Sequence, residues 1–308
     1  MVYDMIGDMV SEIKKLKMEK EAVVLAHNYQ IGAVQDLADF VGDSLGLSYE
    51  ARKTDKKMIV FCGVDFMAET AKIINPDKIV LLPNKYAQCP MAAMIDANSL
   101  TLFKKEHPDA AVVSYVNTTA EVKALSDVCC TSANAIKIVK EIPQEEVIFV
   151  PDVNLALYVQ RFVKNKKIYP WPGYCYTHKG IKPDVIKELR NGYPDAPVVV
   201  HPECTPELID IADKVSSTEG MIKYCRENDS HTFIIATETG MIHRLKKEIP
   251  DKDFIEIPNA ICAAQKHVRL EDLYRSLVEE IYEVKIPDEI IDKARIPIDR
   301  MLEIGRGE

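Results

Sequence analysis

No stretch of this chain approaches the roughly 18–20 uncharged apolar residues that a membrane-spanning helix needs, so no membrane partner is expected. Positive charge is in deficit. The chain has 39 Lys and Arg against 48 Asp and Glu, a net charge of −9, with no basic run interleaved with aromatics, so no nucleic-acid partner is expected. A signal-peptide h-region is missing too. The opening MVYDMIGDMVSEIKKLKMEKE puts apolar residues at helical spacing but carries acids, and reads as a surface helix of a cytoplasmic protein. The CxxC spacing of zinc ribbons and ferredoxins does not occur among the eight cysteines. In the reducing cytosol a disulfide framework is not expected either. What the chain does have is 308 residues, 47% of them apolar, enough for a sizeable core or several small ones.

A repeat runs through that length. Leu37-Ala38-Asp39, Leu125-Ser126-Asp127 and Ile211-Ala212-Asp213 share an apolar–small–Asp pattern, with a hydroxyl five residues on at Ser44, Ser132 and Thr218. The three Asp are spaced by 88 and 86 residues. A recurring tripeptide alone could be chance, but the flanking apolar runs keep the same phase. They lie upstream at 23–26, 112–116 and 198–200, and downstream at 58–62, 147–150 and 233–236, then at 78–82, 167–169 and 254–257. Short continuous apolar runs between helical stretches predict buried parallel strands with crossover helices. The expected fold is therefore α/β: three homologous three-layer αβα units with parallel sheets around a pseudo-threefold axis. The units are expected at 1–90, 91–176 and 177–262. Residues 263–308 should form a C-terminal helical segment with helices at 270–284 and 287–302, packing back on the first unit.

Polar residues sort by the same phase. Twelve residues before each Asp stand His27, Tyr115 and His201, and ten before stand Tyr29, Asn117 and Glu203. All follow the first strand of their unit, where open α/β sheets place ligands. Ser44, Ser132 and Thr218 are each expected to open the next helix. A hydroxyl there is ordinarily only a cap, but three in equivalent places point to anion binding at helix N-termini. Cys89, Cys175 and Cys262 lie 50, 48 and 49 residues after their Asp, and no other cysteine recurs in all three units. A lone buried Cys is ordinarily a small hydrophobe. Three on a pseudo-threefold axis would converge and call for a cation. Spacing leaves open whether that cation is a catalytic zinc or a four-iron four-sulfur cluster with one iron lacking a protein ligand. The carboxylates Asp65, Asp152 and Glu238 recur after a strand and read as helix N-caps. His243, Arg244, Lys246 and Lys247 read as a solvated helix face. His178, three after Cys175, is either a cavity residue or a surface-loop histidine.

The motifs Ala26-His27-Asn28-Tyr29-Gln30, Gly42-Asp43-Ser44-Leu45, Gln88-Cys89-Pro90-Met91-Ala92, Tyr115-Val116-Asn117-Thr118-Thr119, Thr131-Ser132-Ala133-Asn134, His201-Pro202-Glu203-Cys204 and Thr237-Glu238-Thr239-Gly240-Met241 together resemble the quinolinate synthase family, in its order and over nearly the whole chain. The resemblance implies one four-iron four-sulfur (4Fe–4S) cluster held by Cys89, Cys175 and Cys262 with an open iron. It implies condensation of iminoaspartate with dihydroxyacetone phosphate to quinolinate, with loss of phosphate and two waters, in NAD biosynthesis. An aspartate oxidase or aspartate dehydrogenase would supply the imine. The family's active-site residues fall on His27, Tyr29, Ser44, Tyr115, Asn117, Ser132, His178, His201, Glu203, Ser217 and Thr218. Of these, Glu203, Tyr29, His201 and Tyr115 are the catalytic candidates, with Glu203 the first choice for moving protons. Two departures stand out: no proline follows Cys175, and an acid, Glu219, follows Thr218.

Overall fold

The computed structural model describes residues 2–307, with side chains from Gly7 onward. It contains three four-stranded parallel sheets. The first is built from β1 (Ala22–His27), β2 (Phe40–Gly42), β3 (Met58–Cys62) and β4 (Ile79–Leu81). The second uses β5 (Ala111–Tyr115), β6 (Val128–Cys130), β7 (Glu146–Val150) and β8 (Lys167–Pro170). The third uses β9 (Val198–Val200), β10 (Lys214–Val215), β11 (Thr232–Ala236) and β12 (Asp253–Glu256). Each repeats one spatial order, β2-β1-β3-β4 in the first sheet, with every pairing parallel. The chain is thus three αβα units. β1, β3 and β5 are buried at every position, as strands covered by crossover helices on both faces must be.

The recurring aspartates have a structural task. Asp39, Asp127 and Asp213 accept the backbone N–H of Val24, Val112 and Val198 at 2.8, 2.7 and 2.8 Å. Their own N–H groups donate to the carbonyls of the same three valines. Each therefore closes the short crossover between the first two strands of its unit. A long base completes the device: Lys17, Lys104 and Arg190 donate to the carbonyls of Leu37, Leu125 and Ile211, two residues before each Asp. The small residue in the tripeptide lies between those two anchor points.

The apolar core is unevenly shared. In the third sheet, Val198, Val200, Ile234 and Ala236 pack on one face and Val199, Phe233 and Ile235 on the other, the alternation that strand geometry imposes. The first two units instead share one large cluster that also takes in Ile291, Ala294, Ile298, Met301 and Leu302. Those residues lie on the final helix, Asp288–Ile304, which packs on β6 and Ala120–Lys123 of the second unit as well as on Asp65–Ile74 of the first. The preceding helix is shorter than the sequence suggests. It spans Leu270–Glu279 and ends at Glu280 in the left-handed region (φ 53°), after which residues 282–284 run antiparallel to β4. Among the described residues no helix is long and apolar enough to cross a membrane.

Candidate active site

Loops leaving the carboxyl ends of all three sheets close on one cavity with about 690 Å³ free of protein atoms. The first unit lines it with His27, Tyr29, Ser44 and Cys89. The second contributes Tyr115, Asn117, Ser132 and Cys175, and the third His178, His201, Glu203, Thr218 and Cys262. Strand ends supply the aromatic and imidazole groups because a parallel strand aims its last residues at the space between its flanking helices.

Burial pushes all three of these thiols above their ordinary range. Glu203 and the other two thiols add to the rise at Cys175, and Cys262 adds to it at Cys89. The three sulfurs therefore sit within electrostatic reach of one another, yet among the described residues no Lys or Arg lines the cavity to balance them as thiolates. A cationic inorganic group fits this deficit, since soft thiolates with an open fourth position suit iron–sulfur or zinc chemistry. Cys175 also belongs to a second donor set: its Sγ, a ring nitrogen of His178 and a carboxylate oxygen of Glu203 lie within 4.8 Å of one another.

Glu203 sits at the end of a hydrogen-bonded relay. Tyr29 Oη lies 2.7 Å from Thr237 Oγ1, which lies 2.9 Å from His178 Nε2. His178 Nδ1 is 2.6 Å from Glu203 Oε2, and Tyr115 Oη donates to Glu203 Oε1 at 2.5 Å. His178 Nδ1 faces the Glu203 carboxylate and lies 3.2 Å from Cys175 Sγ, while Nε2 faces the Thr237 hydroxyl. Burial alone would raise the Glu203 carboxyl, but the imidazoles of His178 and His201 and the donors His178 and Tyr115 outweigh it and hold the group well below the carboxylate range. Burial and the negative charge of Glu203 drive both phenols the other way, so Tyr29 and Tyr115 stay protonated donors.

His27 and His201 form a matched pair. Each Nδ1 accepts the backbone N–H two residues on, from Tyr29 and Glu203, leaving Nε2 to carry the proton. For His201 that proton points at Ser132 Oγ, 3.2 Å away. Burial, opposed by nearby carboxylates, lowers His27 to about 4 and His201 to about 3, so both are neutral at pH 7. Asn117 Oδ1 is buried without a partner at the cavity wall, an acceptor free to meet a donor from a bound molecule.

The chain matches the family model described as "Quinolinate synthetase A protein" (NadA) over residues 11–303. It is 52% identical to the quinolinate synthase of Geotalea uraniireducens over 96% of this chain and 97% of that one. It is also 52% identical to the quinolinate synthase of Thermodesulfovibrio yellowstonii over 97% and 99%, and 51% identical to that of Dehalococcoides mccartyi over 95% and 97%. The chain belongs to the quinolinate synthetase A family.

In this family member the cavity gathers the three repeat cysteines and every residue that the resemblance places at the active site except Ser217. That side chain is fully buried behind the cavity, as the N-cap of helix Thr218–Glu227, where it accepts the Gly220 N–H. Ser44 and Thr218 are first residues of their helices, capped by Asp43 and Ser217, but Ser132 lies in a turn three residues before helix Ala135–Glu141. The turn forms because Asn134 Oδ1 takes the Thr131 N–H at 2.7 Å. Of Asp65, Asp152 and Glu238, only Asp152 is an N-cap. Asp65 is the first residue of its helix and Glu238 precedes the cap Thr239. Arg244 is no solvated face residue either. It reaches Val41 O and Asn28 Oδ1 and lies 3.9 Å from Glu219 Oε1, and Asn28 Nδ2 approaches that same oxygen while donating to Thr218 Oγ1. Thr237 went unnoticed as a relay member, although its motif Thr237-Glu238-Thr239-Gly240 is legible in the sequence.

Proposed function

We propose that this chain is a quinolinate synthase that condenses iminoaspartate with dihydroxyacetone phosphate, releasing phosphate and two waters, on the route to NAD. The observation that carries the reading is the convergence of Cys89, Cys175 and Cys262 on the cavity that also holds the Tyr29–Thr237–His178–Glu203 relay, in a member of this family. Carbon and proton counts balance without oxidant or reductant, so no step needs an electron carrier. A four-iron four-sulfur cluster held by the three cysteines would supply Lewis acidity at its open iron, making hydroxide a better leaving group.

The remaining tasks fall to side chains. Two substrates bring two carboxylates and a phosphate. Ser44 and Thr218 offer hydroxyls beside the free N–H groups of their helix starts, and Ser132 offers its hydroxyl and turn amides. Asn117 Oδ1 accepts from a substrate hydroxyl or imine N–H. Neutral His27 carries its proton on Nε2 and polarises a carbonyl or imine without adding charge. Glu203 takes a proton from carbon, with Tyr115 and His178 holding its carboxylate in place and the hydroxyls of Thr237 and Tyr29 in line behind His178. An aspartate oxidase or aspartate dehydrogenase would supply the unstable imine.

Anaerobically purified protein incubated with aspartate, an aspartate oxidase and dihydroxyacetone phosphate is expected to form quinolinate in proportion to enzyme, and none without the phosphate. A protein with full iron and sulfide that forms no quinolinate under these conditions would overturn the reading.

A further inference from the structure

Behind each of the three cysteines stands a carboxylate that no chemical step above uses. Asp65 Oδ1 accepts the backbone N–H of Cys89 at 3.0 Å, Asp152 Oδ2 that of Cys175 at 3.1 Å, and Glu238 Oε1 that of Cys262 at 3.0 Å. The separations along the chain are 24, 23 and 24 residues. In every unit the bond joins the loop after the third strand to the loop after the fourth.

A backbone bond doubles the brace each time. The N–H groups of Asp65, Val153 and Thr239 donate to the carbonyls of Ala87, Gly173 and Ala260, each two residues before its cysteine. Every carboxylate is also tied to its own helix start: Asp65 by the Phe66 N–H, Asp152 by Leu155 and Glu238 by Gly240. Helix capping does not explain the trio, because only one member is a cap and Glu238 stands outside its helix. The cysteine N–H is the partner all three share. Placing buried carboxylates beside three thiolates is electrostatically unfavourable. Their recurrence in all three units despite that cost points to a positional need. Asp152 and Glu238 are 0% and 1% exposed, and of the two only Glu238 has a salt-bridge partner, Lys266 at 2.9 Å.

We propose that Asp65, Asp152 and Glu238 are positioning residues that preset the three cysteine loops to receive the inorganic centre. The proposal rests on the reading that Cys89, Cys175 and Cys262 hold an iron–sulfur cluster. The test compares isosteric and truncating changes in anaerobically reconstituted protein. In Asp65→Asn one amide oxygen can still accept both N–H groups that Asp65 Oδ1 takes, from Phe66 and Cys89, so iron and sulfide content should match the parent. Asp152→Asn, by contrast, keeps the Cys175 bond only by giving up the Leu155 N–H that the other oxygen takes. In Asp152→Ala the centre should be lost to a chelator roughly tenfold faster, as for other residues that orient metal ligands, and its EPR spectrum when reduced should change. Asp65→Ala, at a less buried site, provides the same truncation should Asp152→Ala fail to fold, with circular dichroism of the cluster-free proteins as the fold control. Alanine variants that hold the centre like the parent, or an Asp65→Asn variant that loses it as fast as Asp65→Ala, would overturn the proposal. A parent without iron and sulfide would instead defeat the cluster reading itself, and the two failures are distinct.

Discussion

At the scale of single residues, burial keeps the bases His27 and His201 neutral, whereas Glu203 stays ionised against what burial alone would do. Glu203 remains a carboxylate because the imidazoles beside it and the donors His178 and Tyr115 outweigh burial. Glu203→Gln should therefore leave iron and sulfide content unchanged and lower turnover by about 100-fold or more, measured as quinolinate formed per cluster. A near-normal rate would remove Glu203 from proton transfer. His27 and His201 make the opposite prediction about stability. Their pKa values in the folded protein lie below the 6.5 of an unfolded histidine, at about 4 and about 3. The unfolded chain thus takes up protons first as pH falls, and stability present above pH 6.5 is lost toward pH 5, on the order of 2 kcal/mol per histidine. Denaturant midpoints at pH 7.5 and pH 5 should differ less in His27→Asn than in the parent. An identical pH dependence in the two would contradict the burial account.

At the scale of elements, the repeated Asp is what aims the strand ends. Asp213 holds Val198 through two hydrogen bonds, and β9 runs from Val198 to the residues just before His201 and Glu203. Asp213→Ala should cost about 1–2 kcal/mol of unfolding free energy in denaturant titration, with Asp213→Asn losing less. No loss in either would reduce the motif to coincidence. The sequence makes the first, third and fourth strands of each unit legible because strands such as β3, buried at every position, need unbroken apolar runs. β2, β6 and β10 left no such signal. They are two or three residues long, and Phe40 in β2 is 43% exposed. The repeat phase found Ser132, but the helix start slid three residues because Asn134 folds back on Thr131, a local contact no spacing encodes. Thr237, Arg244 and the trio Asp65, Asp152 and Glu238 were visible as residues but not in their contacts. Thr237 and Arg244 act across the boundary between units, and the trio acts between loops of one unit.

At the scale of the molecule, three sheets become one site because something holds them together. The final helix completes the core shared by the first two units, and the chain beyond it continues toward the cavity. Arg306 makes a two-pronged contact to Asp43, which caps the helix of Ser44, at 2.8 Å on both sides. Asn134 and Ala133, beside Ser132, bond the backbone at Gly305 and Gly307. One strap thereby fixes the Ser44 and Ser132 segments of two different units. The third unit keeps its own two-faced core and meets the others both around the cavity, through contacts such as Asn28–Thr218 and Tyr29–Thr237, and away from it, through Asp36–Lys247 and Arg161–Asp210. The proposed convergence of one cysteine from each unit on a single inorganic centre would thus be a property of the whole chain. Iron, acid-labile sulfide and zinc analysis of anaerobically purified protein and its cysteine variants tests it most directly. The parent should hold roughly four iron and four sulfide per chain with negligible zinc. Cys89→Ala, Cys175→Ala and Cys262→Ala should each abolish that content, and Cys62→Ala should leave it intact. Stoichiometric zinc without sulfide in the parent, or a full cluster retained in any one of the three variants, would contradict the account.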